Sequence, residues 1–147
     1  MTHGSNEVGR TGATGSRSLN QTVALVFGAV YTLVAILGFF VSNTFADQND
    51  DKLLGIFEVN HLHNIVHLLI GVALIAASRR HDSARGANLA IGATYLLVFL
   101  IGLFIAGDKS ANILALNGAD NVLHLISGAL LAGVALTQDK DRARSRA

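Results

Sequence analysis

Cysteine, proline and tryptophan are absent from this 147-residue chain, methionine occurs once, and charged residues make up only 14% of it. Without cysteine there can be no disulfide framework, thiolate metal site, iron–sulfur cluster or cysteine nucleophile. The 11 Lys and Arg against 10 Asp and Glu leave a formal net charge of +1. That gives no basic field for holding nucleic acid. Soluble domains carry about 25% charged residues, so the shortage of charge also argues against a water-soluble fold. What is plentiful is apolar: 51% of residues are hydrophobic, in a length that suits one domain.

A helix that crosses about 30 Å of hydrocarbon needs about 20 mostly apolar residues. Four runs free of Asp, Glu, Lys and Arg meet or approach that length: 19–46, densest over 23–41, then 60–78, 86–107 and 121–138. None alternates strictly between apolar and polar, which speaks against a membrane β-barrel. The expectation is an all-α bundle of four transmembrane helices over residues 19–138. Residues 1–18, rich in Gly, Ser and Thr, predict a disordered tail, and 139–147 a charged one. The first apolar run exceeds the about 7–15 residues of a secretory signal core and recurs later in the chain, so it is read as a retained helix.

Orientation follows from Lys and Arg in short loops. Arg10 and Arg17 precede the first run, Arg79, Arg80 and Arg85 lie between the second and third, and Lys140, Arg142, Arg144 and Arg146 follow the fourth. The other two connectors hold only Lys52 and Lys109, and the first of these is acidic through Asp47, Asp50, Asp51 and Glu58. Both termini are therefore expected on the cytoplasmic side of a bacterial plasma membrane.

Internal correspondences run through the chain. Gly28, Ala29, Tyr31, Leu33, Val34 and Gly38 match Gly92, Ala93, Tyr95, Leu97, Val98 and Gly102. In the same order, Asn60, Asn64, His67, Leu68 and Gly71 match Asn117, Asn121, His124, Leu125 and Gly128. This pattern predicts two copies of one helical hairpin, running in the same direction and related by an axis along the membrane normal. Ala24 and Gly28, Ala73 and Ala77, and Ala129 and Gly133 are small-x-x-x-small pairs that mark candidate packing seams.

Asn60, Asn64, His67 and Gly71 are spaced by 4, 3 and 4 residues and share one helix face, as do Asn117, Asn121, His124 and Gly128. Polar groups facing lipid are costly, so both stripes should turn inward and meet. One turn before each histidine stand His63 and Asp120. His63, His67, Asp120 and His124 thus form a candidate site for a divalent metal such as zinc or iron, with imidazole and carboxylate ligands only. Asn64 and Asn121 would orient the imidazoles, and Asn60 and Asn117 would sit beside them.

The same residues support a plainer reading, in which Asn and His hydrogen-bond across helices, Asn60 and Asn117 are N-caps, and Asp120 complements a helix dipole. Two histidines at matching depth also fit the axial ligands of a haem in a redox module, and a small transporter or channel-like subunit acting as an oligomer is a further alternative. No nucleophile–base pair or phosphate loop points to an enzyme. The leading expectation is a non-enzymatic accessory or structural protein of the lipid bilayer, associating with copies of itself or with another membrane protein.

The stretches Val59-Asn60-His61-Leu62-His63-Asn64-Ile65-Val66-His67-Leu68-Leu69-Ile70-Gly71 and Ala119-Asp120-Asn121-Val122-Leu123-His124-Leu125 resemble the family called domain of unknown function 4383. The resemblance spans 21–137 and implies a multi-pass inner-membrane protein of four helices, mainly actinobacterial, with no assigned activity. His61 stands where members of the family often carry proline.

Overall fold

The computed structural model describes residues 16–47, 51–106, 108 and 110–137. Arg10, Lys109 and the basic residues of the C-terminal tail lie outside the described residues, as does most of the N-terminal tail. Four helices form the bundle: α1 (Leu19–Val41), α2 (His61–Ala77), α3 (His81–Ile105) and α4 (Gly118–Thr137). Helices α1, α3 and α4 are long and apolar enough to cross a membrane. Helix α2 is apolar too, and its 17 residues stand at the lower end of the roughly 17–25 that span a bilayer.

The helices follow local chemistry more closely than hydropathy. Ser18 caps α1 in a reciprocal box with Gln21, at 3.3 Å to the Gln21 amide and 3.0 Å from the Ser18 amide to Gln21 Oε1. The uncharged run goes on to Ala46, but α1 stops at Val41 with Ser42 as its C-cap. Helix α3 starts at His81, five residues before the uncharged run, because nothing in His81-Asp82-Ser83-Ala84-Arg85 breaks a helix and Asp82 favours the first turn. Hydropathy marks where a helix may sit in lipid; capping and breakers mark where it ends.

One element was not expected. The connector after α1 carries a two-stranded ribbon, β1 (Lys52–Leu53) antiparallel to β2 (Phe57–Glu58). Its turn uses left-handed backbone at Leu54 (φ 55°) and Gly55 (φ 76°), and a Lys52–Glu58 ion pair at 3.8 Å closes it. Too short to bury an apolar face, it shows no alternation that a sequence scan could find.

Helices α1 and α2 pack as one hairpin and α3 and α4 as the other, and the two meet chiefly through α1 and α3. Burial on α1 falls at Asn20, Ala24, Gly28, Tyr31, Ala35 and Gly38, and on α3 at Ala84, Asn88, Gly92, Tyr95 and Gly102. Residues related by the sequence correspondence make matching contacts. Gln21 Nε2 donates to the Ser78 carbonyl (3.1 Å), and Arg85 Nε to the Ala135 carbonyl (3.0 Å). A Cβ on Gly28 would lie 2.8 Å from the Gly71 carbonyl oxygen, and one on Gly92 would lie 3.0 Å from that of Gly128.

These glycine crossings are the seams. Ala24 and Gly28 belong to one of them, as expected. The pairs Ala73/Ala77 and Ala129/Gly133 do not: Ala73 and Ala129 are exposed, and a Cβ on Gly133 would meet nothing within 4 Å. The buried phase of α2 and α4 instead runs through Gly71 and Leu74, and through Gly128, Leu131 and Ala135. Spacing alone could not choose between two small-residue phases on one helix.

Candidate functional site: a polar layer under the outer connectors

At the start of α2, Asn60 takes extended backbone and its Oδ1 accepts the His63 amide at 2.8 Å. At the start of α4, Asn117 Oδ1 accepts the Asp120 amide at 3.0 Å, and Asp120 Oδ2 accepts the Asn117 amide at 3.2 Å. Both asparagines are thus N-caps, the second in a reciprocal box. Their amide nitrogens reach further. Asn60 Nδ2 donates to the Ile113 carbonyl (2.8 Å) in the connector between α3 and α4, and Asn117 Nδ2 to the Ile56 carbonyl (2.7 Å) in the connector between α1 and α2. Each cap therefore ties its own helix to the other hairpin's loop.

Below the caps lie the rings. His63 Nδ1 contacts the Leu114 carbonyl at 2.8 Å; a carbonyl only accepts, so Nδ1 carries the proton and Nε2 is left as an acceptor. His67 Nε2, at 3.2 Å from His63 Nε2, is then the donor between them. Tyr31 meets His67 edge-on with ring centroids 5.1 Å apart, and the matching pair Tyr95 and His124 lies at the same 5.1 Å. The two tyrosines touch at 5.4 Å. His67 and His124 face each other with centroids 6.2 Å apart. The two stripes do meet inside the bundle.

The four residues expected as metal ligands are not gathered as a ligand set. Asp120 is spent on the cap of its own helix, and His63 is bonded to Leu114 and His67. Among the described residues no three His, Cys, Asp or Glu side chains are grouped to hold a metal ion. Nor do Asn64 and Asn121 orient the imidazoles, since His67 Nδ1 and His124 Nδ1 have no hydrogen-bond partner. They pack instead on the other helix of their own hairpin, where a Cβ on Gly38 would strike the Asn64 amide and one on Gly102 the Asn121 amide.

The cavity beside His63, His67, Tyr95 and His124 measures about 50 Å³, well below the roughly 300–1,000 Å³ of cofactor sites. It has room for a few waters. The unpartnered Tyr95 hydroxyl and the two free imidazole nitrogens are suited to bind them. Toward the inner side, the fully buried Leu74 and Leu131 follow His67 and His124 by two helical turns, and a second polar pair joins α1 to α3. In that pair Asn88 Nδ2 donates to both the main-chain carbonyl and Oδ1 of Asn20, each at 3.0 Å.

Sequence reading missed this pair, because each asparagine stands alone on its helix and matches an alanine in the other hairpin: Asn20 corresponds to Ala84 and Asn88 to Ala24. It also missed Asn112, which is fully buried and clamps its own connector through Leu116, accepting from its amide (2.8 Å) and donating to its carbonyl (2.7 Å). His61 takes a local role, with Nε2 2.9 Å from the Ser42 carbonyl and its ring against Phe39.

Apolar spanning helices stitched together by buried polar side chains define a small helical membrane protein. The chain belongs to the family described as Domain of unknown function (DUF4383), whose profile matches residues 21–137. No curated protein and no solved structure matches it.

Proposed function

We propose that this protein is a multi-pass protein of the bacterial plasma membrane with a structural or accessory role, its Asn/His/Tyr layer fixing the register of two hairpins. The observation that carries this reading is the use made of the polar stripe. Asn60, Asn117, Asp120 and His63 are committed to caps and loop carbonyls, and the fully buried Leu74 and Leu131 follow beneath them. Register-fixing is a well-attested use of buried polar groups. Both hairpins begin and end on the side of Arg79, Arg80 and Arg85, and the excess of arginine there supports cytoplasmic termini. The matched contacts support an origin by duplication, and the lipid-facing surface leaves room for a second copy or another membrane protein.

The natural absence of cysteine makes the topology directly testable. Ser110→Cys is expected to react with a membrane-impermeant maleimide in intact cells, and Ser83→Cys only after permeabilisation; the reverse would overturn the orientation. Elemental analysis of the purified protein tests the role of the layer. Zinc or iron at one equivalent, lost in His67→Ala/His124→Ala, would replace the purely structural reading by the divalent-metal one.

A further inference from the structure

The two faces where the hairpins meet are lined by corresponding residues but do not enclose the same space. On one, between α3 and α2, Val66, Ile70, Tyr95, Val98 and Leu114 border the 50 Å³ cavity described above. On the other, between α1 and α4, their counterparts Leu123, Ser127, Tyr31, Val34 and Phe57 border a groove of about 320 Å³. Its volume falls in the range of small-molecule sites. One replacement is Ser127 for Ile70, which removes apolar bulk and puts a hydroxyl at the bottom of the groove.

Val30 and Val26 form the outer rim and are about half exposed, at 50% and 53%. Residues 26–34 lie in the middle of α1, so in a bilayer the opening faces hydrocarbon and runs about 12 Å along the helix. Phe57 of β2 closes the outer end. The floor is polar and buried: Ser127 is 2% and Tyr31 3% exposed, and both side chains line the groove. Each hydroxyl carries one proton, so the floor can offer an O–H donor to a ligand oxygen.

We propose that this groove binds a single-chain apolar molecule dissolved in the membrane, with its alkyl part along Val30 and Val34 and one oxygen accepting from the Tyr31–Ser127 pair. Apolar walls with one placed polar group are what such a ligand requires. The proposal goes beyond the structural role above and rests on the membrane reading only for the route of access.

The chain has no tryptophan, so Phe57→Trp gives a single reporter at the closed end of the groove in full-length, detergent-solubilised protein. The probe is undecanol carrying bromine at its far end. Expected is saturable quenching, reversed by plain undecanol, whereas a Phe40→Trp reporter at a lipid-facing site shows only a linear rise. Filling the groove with Ser127→Leu, or from the rim with Val30→Phe, should weaken binding at least tenfold. Ser127→Ala keeps the space but should weaken the alcohol by about threefold to tenfold and leave bromoundecane unaffected.

Linear quenching at position 57, or saturable quenching indifferent to both filling variants, overturns the site. Equal loss of alcohol and bromoundecane in Ser127→Ala overturns the role of the hydroxyls. Circular dichroism checks folding; if Ser127→Leu fails to fold, Val30→Phe on the half-exposed rim decides. The assay is run in micelles, so its outcome is independent of the maleimide labelling that tests orientation.

Discussion

The Asn60 side-chain amide donates to the Ile113 carbonyl at 2.8 Å, and the residues corresponding to both, Asn117 and Ile56, make the same bond at 2.7 Å in the opposite direction between hairpins. Each bond starts from a residue that also caps a helix, so one side chain serves local structure with its oxygen and tertiary structure with its nitrogen. The outer ends of α2 and α4 are thereby locked to each other's connectors. This reciprocity explains why asparagine is suited to both positions: aspartate would cap as well but has nothing to donate.

Asn60→Ala and Asn117→Ala should each lower stability, the lost cap alone costing about 0.5–2 kcal/mol. Asn60→Asp retains the cap and loses the side-chain bonds to the Ile113 (2.8 Å) and Asp47 (3.3 Å) carbonyls, so it should fall between wild type and alanine. Chemical unfolding in mixed micelles, followed by circular dichroism, measures all three. Equal stability of Asn60→Asp and wild type would show that the bonds made by the Asn60 amide nitrogen contribute nothing.

Glycine substitutions should differ in sign according to what lies opposite. A Cβ at Gly38 or Gly102 collides with the amide of Asn64 or Asn121. Gly38→Ala and Gly102→Ala should therefore destabilise by about 1–3 kcal/mol, and Asn64→Ala should partly rescue the first. Gly86 and Gly133 face open space within helices, where alanine is better by roughly 0.5–1 kcal/mol. Gly86→Ala and Gly133→Ala should raise the unfolding midpoint in the same assay.

Much of this architecture was legible in the sequence, since run length and matched residues carry the helices and the hairpin order. The meeting of His67 with His124 was legible because their stripes have helical spacing and cannot face lipid. The fate of Asp120 was not, because a carboxylate three residues after an asparagine reads equally well as a ligand or as half of a capping box. The partners of Asn64 and Asn121 were hidden for another reason. They lie on the glycines of the neighbouring helix, and a glycine in an apolar run does not announce which polar group will rest on it. The ribbon at Lys52–Leu53 and Phe57–Glu58 and the Asn20–Asn88 pair depend on chain reversal and helix crossing, which no single stretch encodes.

Asp108, in the connector between α3 and α4, should titrate below the ordinary carboxylate range. The Ser110 hydroxyl at 2.7 Å and amide at 2.9 Å, with the Ala111 amide, donate to its carboxylate and favour the charged form. A folded-state pKa lowered in this way supports the turn above the unfolded value, and the support is lost as pH falls through the lowered one. Carboxyl-carbon NMR should show that low midpoint in wild type. In Ser110→Ala it should move up toward the ordinary value; an unchanged midpoint would exclude the hydroxyl as its main cause.

The Asn20–Asn88 pair provides the cleanest energetic test of how α1 holds α3, because both side chains are fully buried and Asn88 bonds the other helix twice. Asn88→Ala leaves Asn20 Oδ1 without a donor, while the Asn20 main-chain carbonyl keeps its bond within α1. A cost of about 1–3 kcal/mol is expected from leaving buried polar groups unsatisfied. Replacing both partners removes the orphan: Asn20→Leu/Asn88→Leu should recover most of that loss, because an apolar pair of similar shape is nearly neutral. The double variant also removes the only donor reaching α1 from this position, so the two hairpins should slide more readily. Disulfide trapping between Ala24→Cys and Ala84→Cys reads that sliding, and efficient trapping only in the wild-type background is the expected result. Equal trapping in both backgrounds would assign the pair to stability alone and leave register to the outer asparagines.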